Sequence, residues 1–214
     1  MADIRLTRRR IANHFRYTRW WYLVVALLCA FGLSALFSMT RYRPPREHLL
    51  SFYVTSGPVF AEQLQGALWP ELQARRPEQE ELTVVGINLR DEQMYARMQY
   101  ATYLSAGEGD VLLLDRVEYD RLKMDATEGE TFVDLGPAVH SGMIPRAKLS
   151  EMDTQMLEQT GALYAVSADV LTGLMAFGCD TRGAVLTAPL NRPNTEAAEA
   201  LIGILLDRYG EGGT

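Results

Sequence analysis

Hydrophobic positions along this chain fall into one uninterrupted run and a succession of shorter, periodic segments. The run, Trp20 to Phe37, contains no charged residue. As a helix rising ~1.5 Å per residue it spans roughly 27 Å, close to a bilayer's hydrocarbon core. A helix satisfies its own backbone donors and acceptors, which lipid cannot do, so the pattern predicts a transmembrane helix over 20–38. Trp20, Trp21 and Tyr22 place an aromatic belt at one end of it, and Tyr42 sits beyond the other.

The shorter segments alternate in type. Leu49 to Thr55 reads as a buried strand, and Ser56-Gly57-Pro58 as the start of a helix with Ser56 or Gly57 near its N-cap. Phe60, Leu64, Ala67, Leu68 and Leu72 recur at helical spacing until Pro77. Leu82 to Ile87 is a second strand, and Asp91 opens a second helix carrying Met94, Tyr95 and Met98. Val111-Leu112-Leu113-Leu114, bounded by Asp110 and Asp115, suits a central strand covered on both faces. Val117, Tyr119 and Leu122 mark a short helix, and Phe132 to Pro137 closes this strand–helix series. This alternation predicts a three-layer α/β domain with a mainly parallel sheet and right-handed crossovers. Beyond it come a helix around Met152 to Leu157 and strands at Leu163 to Ser167, Thr172 to Gly178 and Ala184 to Leu190. A last helix, Thr195 to Tyr209, is capped near Asn194.

The charges add an orientation. Arg5, Arg8, Arg9, Arg10, Arg16 and Arg19 precede the apolar run, against Arg41, Arg43 and Arg46 after it. The positive-inside bias puts the N-terminus in the cytoplasm and the rest outside the cytoplasmic membrane. The expected organisation is a basic cytoplasmic segment over 1–19, the span over 20–38, a Pro-containing linker over 39–48 and one extracytoplasmic domain over 49–214. A cleaved signal peptide fits poorly, because the apolar run is long and no small-x-small site follows it. Lipidation at Cys29 fits poorly too, with bulky Leu28 before it and half the run after it. The domain has roughly 165 residues, enough for one core. The chain's net charge of −6 hides a basic N-terminus and an acidic domain, which argues against nucleic acid as a partner. Cys29 and Cys179 are the two cysteines, one in the span and one outside it, so the fold must hold by packing.

Four stretches, in order, resemble the extracellular solute-binding proteins of bacterial ABC importers, the type 2-like periplasmic binding proteins. Leu104 to Asp115 is similar to that family's helix, small-residue turn, Asp-Val and apolar strand. Phe132-Val133-Asp134-Leu135 is similar to its aspartate-leucine segment. Leu163-Tyr164-Ala165-Val166-Ser167 resembles its Tyr-Ala-Val-Pro strand, with Ser167 in the place of proline. Asn191 to Ala198 resembles its asparagine turn and Glu-x-Ala helix start. Family members have two lobes. Here the place of the second is taken by Cys179 to Gly183, long enough only for a hairpin turn, so the resemblance implies one membrane-anchored lobe. It also implies a small-molecule ligand and, as partner, an ABC transporter permease or another envelope protein.

In open α/β sheets ligands bind at the carboxyl ends of strands. Those ends supply Ser56, then Asp115 and Tyr119, then Ser167, the candidate ligand-binding residues. Each has an ordinary structural use: Ser56 and Asp115 as helix caps, the methionines Met94, Met98, Met152, Met156 and Met175 as core filler. Gly107-Glu108-Gly109 ends a helix before a strand, the reverse of a dinucleotide loop. His14, His48 and His140 lack metal-ligand spacing, and Gly-x-Ser-x-Gly is absent. No enzyme, cofactor or metal site is therefore expected. The expected function is extracytoplasmic binding, or else a structural envelope role in which the ligand site is lost. An open polar cleft would favour the first, and a filled apolar one, covered by the helix around Met152, the second.

Overall fold

The computed structural model describes residues 8–40, 42, 44–89, 94–123 and 127–210. It divides into two compact units, Met1–Arg43 and Pro44–Thr214. The first contains α1 (Arg8–Thr40), in which the stretch Trp20–Thr40 is long and apolar enough to cross a membrane or to serve as a signal sequence. The large apolar side chains of Trp20–Thr40 are exposed, as a helix needs if lipid is to be its solvent.

The second unit is an α/β domain. In chain order it comprises β1 (Leu49–Val54), α2 (Ala61–Arg75), β2 (Glu81–Gly86), α3 (Met94–Ser105), β3 (Val111–Asp115), α4 (Arg116–Lys123), α5 (Glu128–Thr131), α6 (Gly136–His140), α7 (Glu151–Thr160), β4 (Val166–Ser167), β5 (Ala184–Thr187) and α8 (Thr195–Tyr209). Alternation along the strands separates two apolar clusters. Phe52, Val54, Val111 and Leu113 face Leu64, Leu68 and Leu72 of α2 and Leu201 and Leu205 of α8. Tyr53, Leu112 and Leu114 face Tyr100 of α3, Tyr119 of α4 and Phe132. The period of two along β1 and β3 thus produces helix, sheet and helix layers.

The sheet is mixed, which corrects the expectation of a mainly parallel one. Strand order is β2-β1-β3-β5-β4, with β1 parallel to β2 and β3, and β5 antiparallel to both β3 and β4. The reversal stems from the segment after β4. Thr172–Phe177 is a 3-10 helix, not a strand, with Leu171 and Leu174 buried three residues apart. Gly178 then turns with φ 81°. An added Cβ there would lie 2.8 Å from the Pro58 carbonyl, so the turn needs glycine. The antiparallel pair is accordingly β4 with β5, and Thr172 to Gly178 pairs with neither.

Phe132 makes a single bridge, to Pro189. Asp134 Oδ1 accepts from the amides of Gly136 and Leu163, both at 2.9 Å, and leads straight into α6. Two smaller expectations also change. The first helix of the domain starts at Ala61, not at Ser56-Gly57, with the Phe60 amide donating to the Phe177 carbonyl at 2.8 Å. Asn194 does not cap α8 with its side chain; its Nδ2 donates to the carbonyls of Arg46 and Leu49 at the start of β1. The expected helix start at Asp91 lies outside the described residues.

Candidate functional site

A cleft of about 450 Å³ opens where β3 and β4 end and β5 begins. Arg116 and Tyr119 of α4 form one wall. The other comes from α7, through Met152 and Met156, and from Ser167 and Asp169 at the end of β4. Tyr164, Ala184 and Val185 lie between them.

Local sequence explains how each group is held. Ser150 caps α7, its Oγ accepting from the Asp153 amide at 3.1 Å. Asp153, buried in the first turn, accepts the Ser167 amide at 2.9 Å and so fixes α7 to the end of β4. Asp169 accepts from the Gly183 amide at 2.7 Å and from Ser167 Oγ at 3.1 Å, which ties the end of β4 to the turn before β5. The Tyr119 ring stacks on Phe132 with centroids 4.8 Å apart. The Arg116 guanidinium and the Lys123 ammonium lie 5.6 and 5.0 Å from its centre. Both are favourable placements of a cation near an aromatic ring.

Of the four residues singled out from the sequence, the fold brings Tyr119 and Ser167 into this cleft. Asp115 ends β3 opposite Ala184 and stands beside the cleft without lining it. Ser56 is fully buried, and its hydroxyl finds no hydrogen-bond partner. Tyr164, which the sequence presents only as part of a strand, lines the cleft as well. Met152 and Met156, expected in the core, are instead 68% and 40% exposed. The same correction holds for Met94, Met98 and Met175, all exposed. A legible signal exists for Met152 and Met156: they stand four residues apart on a short helix whose other apolar residue is Leu157, the spacing of a single face. The helix borders the cleft and does not fill it.

The arrangement can take a ligand with an apolar body against methionine and tyrosine and a polar group directed to Ser167, Asp169 or Arg116. Among the described residues no group of three or more His, Cys, Asp or Glu is placed to hold a metal ion. Cys179 is buried, and burial pushes its thiol up to about 11, away from reactivity at neutral pH.

No protein-family model matches the chain, and no curated protein matches it. Two solved structures are weakly similar to it. One is the ABC substrate-binding protein Lmo0181 from Listeria monocytogenes in complex with cycloalternan, at 16% identity and TM-score 0.36, covering 55% of this chain and 28% of that one. The other is maltose-bound T. maritima MalE3, at 17% identity and TM-score 0.35, covering 56% and 28%. The chain thus spans little more than a quarter of the length of either protein.

Proposed function

We propose that this chain is a membrane-anchored extracytoplasmic binding protein, related to the solute-binding proteins of ABC importers and reduced to one lobe. Its N-terminus is cytoplasmic, α1 is an uncleaved single span, and the domain takes a small ligand at the carboxyl ends of β3 and β4. A transporter permease or another envelope protein is its partner in the membrane. The observation that carries the binding role is the open cleft walled by Tyr119, Tyr164, Met152 and Met156, with Ser167 and Asp169 at its edge. Orientation rests on the arginine bias around the apolar run.

The test is a thermal-shift screen of sugars, amino acids, short peptides and oxyanions on the full chain in detergent. A ligand that binds only the folded state must raise Tm in a saturable way. That rise should disappear in Tyr164→Ala. A flat response across all four classes favours the second reading, a structural envelope protein without a ligand site. One observation favours that alternative: Phe132, Arg116 and Lys123 already engage the Tyr119 ring.

A further inference from the structure

We infer that the amino end of the sheet carries a second binding site, for a small zwitterion: a primary ammonium with a carboxylate or phosphate a few bonds away. A cleft of about 290 Å³ opens there, at the other end of β3 from the cleft at Tyr119. That volume is at the small end of the range for ligand pockets. Leu49, Leu50 and Pro193 give it apolar walls. Its polar lining includes Asp110 and Asn194, only 5% and 4% exposed, together with Glu108 and Arg46, both exposed.

The carboxylates of this cleft are hydrogen-bonded but not neutralised. Asp110 takes the Ser51 amide and hydroxyl on Oδ2 and Asn194 Nδ2, at 3.4 Å, on Oδ1; Glu108 takes the Tyr53 hydroxyl on Oε2. All of these donors are neutral. Among the described residues neither carboxylate forms an ion pair, and the Arg46 guanidinium forms none either. Arg46 is nonetheless close: its Nη1 lies 3.9 Å from where a Cβ on Gly107, the neighbour of Glu108, would stand. Opposite charges thus share one cleft without pairing to each other. A further acceptor is idle. Asn194 Nδ2 is turned to the carbonyls of Arg46 and Leu49, and its buried Oδ1 has no partner. An ionised carboxylate buried without a counter-ion is costly, which favours a cationic group at Asp110. A ligand that was only cationic would meet Arg46, and one only anionic would meet two carboxylates. A ligand carrying both charges complements both. Its ammonium brings three N–H donors to Glu108, Asp110 Oδ1 and the Asn194 amide beside it, and its oxyanion suits the forked guanidinium. Among the described residues a metal ion would lack a third His, Cys, Asp or Glu. A free α-amino acid and an ethanolamine phosphate headgroup both have the required chemistry.

The site is separate from the cleft of the proposed binding function and does not depend on it. The test follows Tm of the full chain in a nonionic detergent. Alanine and glycerophosphoethanolamine serve as zwitterions; methylamine, acetate and inorganic phosphate serve as their singly charged halves. At least one zwitterion should raise Tm in a saturable way, and each half should need at least tenfold more for the same shift. A response to alanine alone identifies a soluble amino acid, and one to glycerophosphoethanolamine alone a lipid headgroup. Glu108→Gln keeps an acceptor for Tyr53, and the Arg46 guanidinium bonds to no described residue. Glu108→Gln and Arg46→Gln should therefore each weaken the response at least tenfold and leave the ligand-free Tm within about 2 °C. Should Glu108→Gln unfold the domain, Arg46→Gln decides alone. Tyr164→Ala should leave the response intact, which separates this site from the cleft at the carboxyl end. Four results overturn the inference: no response to either zwitterion, halves that match the zwitterions, a response that survives the substitutions in folded protein, or one lost in folded Tyr164→Ala.

Discussion

The two ends of the sheet use opposite chemistry. At the amino ends of β1 and β3, polar side chains bond to one another. Ser51 donates through its amide and its hydroxyl to Asp110 Oδ2, at 2.8 and 2.6 Å, and accepts the Gly109 amide at 2.9 Å. Tyr53 donates to Glu108 at 2.9 Å, and burial, reinforced by that carboxylate, pushes its phenol well above its usual range. Asn194 and Gln79 donate to carbonyls of 46–49. At the carboxyl ends of the same strands, large apolar side chains stand exposed. Burying a polar group costs free energy that a hydrogen bond largely offsets, so the amino end is a structural joint whose members depend on each other. Exposed methionines add little to the stability of an isolated domain.

The largest test of this contrast is one substitution made twice. Val111→Asp puts a charge into the fully buried centre of β3, at a cost of several kcal/mol against a whole-domain stability of roughly 5–15 kcal/mol. The full chain should lose its cooperative melt. Val117→Asp, six residues later and 81% exposed, should leave Tm within about 2 °C. Equal losses would show that the carboxyl face is structural.

Next in size is Asp110→Ala. It strips the Ser51 amide and hydroxyl of their acceptor and should cost about 2–3 kcal/mol, read as a Tm lower by roughly 4–12 °C. A smaller effect has the opposite sign. Glu199 on α8 has its carboxyl pKa raised, first by burial and then by Glu196. The folded state therefore holds this proton more tightly than the unfolded one, and the ionised form at neutral pH costs stability. Glu199→Gln should raise Tm at pH 7 by no more than about 2 °C. The gain should shrink as pH falls through the raised value and vanish below the ordinary carboxylate range. A gain that grows on acidification would reverse the assignment. Met152→Ser should move the melt least of all, within about 0.5 kcal/mol.

Strands β1, β2 and β3 and helices α2 and α8 are legible in the sequence because their apolar residues repeat at the period of the element. Leu64, Leu68 and Leu72 point to one side of a helix, and Val111 to Leu114 alternate between two cores. The misleading segments are those decided by distant partners. Thr172 to Phe177 has apolar residues enough for a strand, but it is a 3-10 helix closed by Gly178 in a left-handed turn. Asn194 looks like a cap and is instead engaged by backbone carbonyls 145 and 148 residues earlier. For the site, Tyr119 and Ser167 are readable as strand-end residues. Ser56 shares that position and is buried, because the Gly57 loop packs toward Asp180 and Gly178. The methionines mislead because apolar spacing reports which residues share a face and not whether anything covers it.

The bonds from Asn194 to the carbonyls of Arg46 and Leu49 also have a mechanical meaning. The chain comes into the domain at Pro44 and continues directly into β1, which has parallel neighbours on both sides. Tension arriving through Pro44 is thus received at the amino end of an interior strand, where α8 already grips the backbone through Asn194. A pull along β1 loads its bonds to β2 and β3 in shear, side by side, so that they must yield together. The same pull on an edge strand such as β2 or β4 would meet one ladder instead of two. A force entering at Pro44 would thus be shared between two strand ladders.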